Sequence, residues 1–214
     1  MRPARPRLGE PVGTRAELRS DTVLEAVSVD APGWAATDTE FAELLQVALH
    51  GGSLADAQLY RTRWTDVEVV GSDLANLVLR ESIWSRVALE RCRATGLMLA
   101  GCRIADLTVV DTVAELANWR QARVRRAAFT GCRLSGADFG DAELESVTFD
   151  RCDLTDARFA GARLSSVRFV GCTMTGLTGV ASLAGARIEP VNLAELAGQL
   201  AGALGIELVV KNDA

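Results

Sequence analysis

Residues 129–148 read FTGCRLSGADFGDAELESVT, residues 149–168 read FDRCDLTDARFAGARLSSVR, and the chain continues from Phe169 as FVGCTMTG. Phe, Cys, Leu or Met, Ala, Phe, Ala, Leu and Val recur every 20 residues. Inside each 20 lies a period of five, whose large apolar member falls at Leu134, Phe139, Leu144, Phe149, Leu154, Phe159, Leu164, Phe169 and Met174. Stepping back by fives from there never changes phase. From Leu24 to Met174 there are 31 such places and 30 are apolar, Thr39 being the exception, far beyond what a chain 49% hydrophobic gives by chance. None of the 31 places two residues earlier is charged, so the charge of this stretch falls on the other three places of each five.

A period of five fits neither an α-helix at 3.6 nor a flat strand at 2. The 20-residue super-period means that four short segments bring the chain back above its start, which is a square solenoid. The central residue of each five fills the axis, the small residue two before it packs inside the wall, and the remaining three face water. Successive coils should stack at about 4.8 Å, each burying the apolar face its neighbour exposes. Trp64 and Trp84, 20 apart, should stack inside, as should Phe129, Phe149 and Phe169. Trp119 and Trp34 adjoin the small Ala114 and Thr39 and compensate their volume.

Ala137-Asp138-Phe139, Ser72-Asp73-Leu74 and Cys152-Asp153-Leu154 carry the pattern A-[D/N]-[L/F]-x-x, and with it the chain resembles the pentapeptide-repeat family over about residues 21–180. The resemblance implies an all-β solenoid, a right-handed quadrilateral β-helix. Departures are Ala94, Ala114 and Thr39, small for the central place, and Leu77, Leu97 and Leu107, large for the inner wall. Residues 40–49 also suit an amphipathic helix, which would move the start of the solenoid to about residue 52.

Residues 1–20 hold three of the five prolines and five arginines without periodicity, and are expected to form a flexible tail. After Gly176 the phase of five is lost. Pro190 opens a stretch with Leu193, Leu196, Ala197, Leu200 and Leu204 on one helical face, stopped by Gly205. Because uncovered solenoid ends aggregate, residues 181–214 should supply a capping α-helix. In quinolone-resistance members of the family this end also makes a homodimer, and the resemblance implies the same here.

Five cysteines and the absence of an apolar segment behind the amino-terminal arginines suggest a cytoplasmic protein, with no membrane span. Cys92, Cys132, Cys152 and Cys172 share one inner-wall place, with Thr112 between the first two. Small-residue packing explains them better than a metal site, which needs convergent ligands. With one histidine, His50, no recognisable nucleophile and base pair and no glycine-rich phosphate loop, the reading is a non-enzyme without cofactor or metal.

The net charge of −5 excludes a generic basic nucleic-acid binder, and no direct nucleic-acid contact is expected. The best-known role in the family is binding DNA gyrase or topoisomerase IV as a rod-like mimic of duplex DNA, which gives tolerance to poisons such as quinolones. Mimicry needs dense negative charge, yet residues 50–180 carry 16 acids and 16 arginines. The face centred on Leu54, Leu74 and Leu134, with Asp56, Asp73, Asp153 and Asp156, comes to −3. The opposite face, with Arg123, Arg125 and Arg126, comes to +3. Duplex DNA about 30 Å long carries nearly 20 charges. The competing reading is a non-catalytic protein-interaction scaffold, motivated by apolar residues at outward places near mid-rod: Val78, Met98, Val110, Val113 and Leu116.

Overall fold

The five-residue period is realised as a parallel β-solenoid of about eight turns with short helices at its carboxy-terminal end. The computed structural model describes residues 2–9, 12–13 and 17–207. Long strands Glu43–His50, Arg63–Val70, Ile83–Glu90, Arg103–Val110, Arg123–Thr130 and Glu143–Asp150 stack in parallel, each offset from the next by 20 residues. Trp64 therefore lies opposite Trp84, and Phe129 opposite Phe149. Each long strand covers two faces, here called the Trp64 face and the Val69 face. The Leu74 face is built from isolated bridges such as Ser53 to Asp73 to Arg93. The Leu79 face begins with strands Asp38–Glu40, Gln58–Tyr60 and Val78–Arg80.

The pairing of each long strand skips one residue in its middle, and that residue turns the corner. Asp66, Arg86, Asp106 and Arg126 have φ of 56, 55, 57 and 55°. The same holds around the whole coil: the residue two after each central one is left-handed, in 22 cases without being glycine, and Asp21 at the start of the coils makes a 23rd such corner among the described residues. An L-residue there costs about 1–2 kcal/mol. The cost is met because the turned residue keeps its ladder bond: the Asp56 N–H donates to the Ala75 carbonyl at 2.8 Å, and the Asp156 N–H to Thr175 at 2.9 Å.

The axis is dry and filled. Phe129, Phe149 and Phe169 stack with centroids 5.0 Å apart, Phe139 and Phe159 at 4.9 Å, and Trp64 on Trp84 at 5.0 Å. Ala94 and Ala114, both buried, lie on the face across the axis from Trp84 and next to that of Trp119, as volume compensation requires. The Nε1 groups of Trp64, Trp84 and Trp119 are buried with no partner among the described residues, so the packing gain carries a polar cost.

Three details differ from the sequence reading or refine it. Residues 43–50 form a strand, not a helix, because Leu44, Val47 and Leu49 all enter the core at the solenoid's own places, and the coils begin near residue 21. Asp66 and Asp106, at places expected to face water, are 5% and 8% exposed, because each is paired with an arginine of the next coil and covered from outside. The stretch expected as a flexible tail adds a short strand, Val12–Gly13, beside Val27–Ser28, and packs Leu18 into the core.

The far end closes as the sequence implies, with Pro190 at the first turn of helix Pro190–Glu195, then helix Ala197–Ala203, and Gly205 at φ 71°. A short 3-10 turn, Val180–Leu183, precedes them. The last coil lacks a neighbour, and side chains take its place. Glu189 Oε2 accepts from the Gly171 N–H at 2.6 Å, Glu195 Oε2 accepts from Met174 at 3.0 Å, and Asn192 Nδ2 donates to the Cys172 carbonyl at 2.5 Å. In every earlier coil those partners are backbone groups 19 to 21 residues further on, as when Leu154 donates to Thr173 and Thr173 donates to Cys152.

Candidate functional site

Of the outward apolar residues, the structure brings together three. Val78 and Met98 are bridged in successive coils, and Leu116 sits one coil above Met98, two residues before Asn118, which pairs with Met98. Met98 is 40% and Leu116 66% exposed. Leu116 is a corner residue at φ 57°, and its side chain leans over Gly136 of the next coil, where a Cβ would come within 2.8 Å of Leu116 Cδ2. Val113, half-buried, lies on the Leu74 face between Arg93 and Arg133. Val110 is separate: it belongs to the Val69 face, paired with Glu90 and Thr130.

The four candidate aspartates share one face but form two groups four coils apart, about 19 Å along the axis. Three of the four have a side-chain partner. Asp73 pairs with Arg93 at 2.8 Å, and Asp56 Oδ1 accepts from Asn76 Nδ2 at 3.0 Å. Asp153 accepts from Ser135 Oγ and Thr155 Oγ1 at 2.8 and 2.6 Å. Burial is the largest single influence and pushes its carboxyl up, but the Thr155 and Ser135 donors with Arg133 nearby together lower its pKa. Asp156 lies over Gly176 of the next coil, where its Oδ1 would meet any added Cβ.

The candidate arginines are paired as well: Arg123 with Glu143 at 3.4 Å, Arg125 with Glu145 at 2.9 Å, and Arg126 with Asp106 at 2.6 Å. Arg123, Arg125, Glu143, Glu145 and Arg163 line a shallow depression on the Trp64 face. Ladder pairing between coils thus neutralises the wall locally as well as in sum.

The cysteines are free and buried. Cys132 Sγ donates to the Val109 carbonyl and Cys152 Sγ to Phe129, each at 3.4 Å, the role of a small inner-wall residue. Burial pushes the Cys102 thiol up to about 11. Cys152 is also raised, first by the thiols of Cys132 and Cys172 on either side. Among the described residues no group of three or more His, Cys, Asp or Glu suits a metal ion, and no helix is long and apolar enough to cross a membrane.

One constellation escaped the sequence reading. Ser28 Oγ and Asp30 Oδ1 both lie 3.4 Å from His50 Nδ1, brought together because Asp30 pairs with His50 across coils. A catalytic triad needs nucleophile and carboxylate on opposite ring nitrogens, whereas here both address Nδ1. Asp30 is 85% exposed at its side chain, on an open wall.

With coils, ladders and caps in place, the class is a pentapeptide-repeat β-solenoid. Residues 82–159 match the family model described as a pentapeptide repeat region, and the same five-residue register runs through the flanking coils. No curated protein matches the sequence. Similar solved structures include full-length QnrB1, described as a plasmid-mediated fluoroquinolone resistance protein, at 13% identity and TM-score 0.41, covering 85% of this chain and 98% of that one. Another is HetL of Nostoc sp. strain PCC 7120, described as involved in heterocyst differentiation regulation, at 19% identity and TM-score 0.33, covering 78% and 87%. Rfr23 of Cyanothece 51142 is similar at 12% identity and TM-score 0.27, covering 79% and 90%. Likeness this low says nothing about partner or activity.

Proposed function

We propose that the protein is a non-catalytic, cytoplasmic interaction scaffold whose partner contacts the apolar corner formed by Val78, Met98 and Leu116. The observation that carries this reading is the exposure of Met98 and Leu116 in successive coils, on a wall where Arg93 with Asp73 and Arg133 with Glu115 are paired between coils. An exposed apolar cluster within a polar rim has the character of a binding surface. The test is Met98→Glu with Leu116→Glu, compared with wild type in capture of partner proteins. Loss of a specific partner by at least tenfold, with an unchanged melting temperature, supports the surface, and undiminished capture refutes it.

A homodimer through the carboxy-terminal end belongs to the same proposal. Val191, Leu193, Leu204 and Ile206 are exposed there, beside a hollow lined by Val180, Leu183, Ile188 and Leu200. Deleting residues 190–214 should convert dimer to monomer or aggregate in light scattering, and an unaltered association state contradicts it. The second reading, a topoisomerase-binding protein of the DNA-mimic type, rests on the family resemblance. Purified gyrase, with and without competing DNA, is the partner to try first.

A further inference from the structure

The corner between the Trp64 and Val69 faces carries a column of charge, Asp66, Arg86, Asp106, Arg126, one residue per coil. Arg86 binds Asp66 through two nitrogens at 2.6 Å, and Arg126 binds Asp106 at 2.7 and 2.6 Å. Each aspartate has a further acceptor position, and residues 2–9 use it. The Arg7 N–H donates to Asp66 Oδ1 at 2.9 Å and the Ala4 N–H to Asp106 Oδ1 at 3.0 Å. The donors are three residues apart in the arm, and the acceptors are two coils apart in the wall.

These spacings agree. Two coils span about 9.6 Å. Three residues of a proline-rich extended chain span about 9.3 Å, and that conformation repeats every three residues, so the N–H groups of residues i and i+3 point the same way. Pro3 and Pro6 precede the two donors, and both are half-buried while Ala4 and Arg7 are exposed, the three-residue alternation such a chain presents to a wall. Charge agrees too. The arm brings Arg2, Arg5 and Arg7, and Arg5 and Pro6 share a cleft with Glu68, Glu90, Thr108 and Val110. Within the column the two arginines are spent on the two aspartates; Glu90 is paired with Arg91, and Glu68 lines the cleft beside Arg5 and Pro6.

We infer that this corner is a docking groove for an extended, arginine-bearing Pro-x-x-Pro segment, filled in the resting molecule by the chain's own residues 2–9, and open to a partner's segment of the same chemistry that displaces them. Recognition is through backbone N–H groups presented every three residues, so period and proline spacing specify the ligand more than particular side chains. The groove lies apart from the corner of Met98 and Leu116 and does not depend on that surface being used.

The test uses the full chain. Ala4→Pro with Arg7→Pro removes both arm donors and leaves the solenoid untouched. A fluorescently labelled peptide, MRPARPRLG, is then titrated by anisotropy into wild type and variant. A tethered arm competes at millimolar effective concentration. The expected result is binding at least tenfold tighter to the variant, lost when the peptide carries the same two prolines. Equal affinity for both proteins, or no saturable binding to the variant, overturns the inference. Hydrogen exchange on wild type keeps the question open to test if the variant misfolds: Ala4 and Arg7 amides should exchange more slowly than those of Arg2 and Arg5, and uniform fast exchange also overturns it.

Discussion

Leu154 is wholly buried on the axis, with ladder partners on both sides. Leu154→Asp places an unpaired carboxylate in a dry interior, and the expected loss is at least ~3 kcal/mol. Thermal melts measure it, and an unchanged midpoint would show that this residue does not occupy the axis. The axial and inner-wall places were readable because burial selects residue type directly and the period repeats that selection dozens of times. The left-handed corners were not, since 23 of them hold ordinary residues and the sign of φ is imposed by the coil rather than by side-chain identity. Asp66 and Asp106 stand at places where the period alone predicts solvent, because the sequence does not show that a corner column pairs one coil with the next. Their carboxyls are lowered first by hydrogen bonds from Arg86 and Arg126, with the arm's N–H groups adding to this against the opposing effect of burial. A depressed folded-state pKa contributes stability that is fully present above the unfolded value of about 3.9 and is lost as pH falls through the folded value. Between neutrality and pH 2 the wild type should therefore lose more stability than an Asp66→Asn, Asp106→Asn double variant. Parallel loss in urea melts at both pH values would refute this role.

Strand Glu43–His50 shows where an element was ambiguous. ELLQVALH suits an amphipathic helix by itself, and only pairing with Val23–Glu25 and Val27–Asp30 on one side and Arg63–Val70 on the other makes it a strand. The cap was legible as a helix from Pro190 and Gly205, but its function as a substitute coil was not, because it depends on where three side chains reach. Glu189, Asn192 and Glu195 satisfy three backbone groups of the last coil that a further coil would have satisfied, which blunts the sheet end. Asn192→Ala with Glu195→Ala should each leave a buried backbone group unpaired, at about 1–3 kcal/mol apiece. Added aggregation should appear on light scattering at concentrations where wild type is clear. Unchanged melting and scattering in the double variant would mean that apolar packing of Leu196 alone closes the end.

For the whole molecule, the arrangement of charge separates the two functional readings. A rod with 16 acids and 16 arginines between residues 50 and 180 has no net field to offer a DNA-binding enzyme. The structure sharpens the point, because Asp73, Asp106 and Asp153 are engaged by Arg93, Arg126 and local hydroxyls rather than displayed alone. If the protein nonetheless acts as a DNA mimic, its acidic face is what gyrase reads, and Asp56, Asp73, Asp153 and Asp156 changed together to Asn should abolish inhibition of supercoiling. If it is a scaffold, those four changes leave partner binding intact, while Met98→Glu with Leu116→Glu breaks it by setting charge in an apolar contact. A neutral rod should give at most weak gyrase inhibition that fades steeply between 50 and about 200 mM salt. Inhibition that is tight, insensitive to salt and retained by the four Asn changes would defeat the electrostatic account, and would place recognition in the shape of the rod or in its apolar corner.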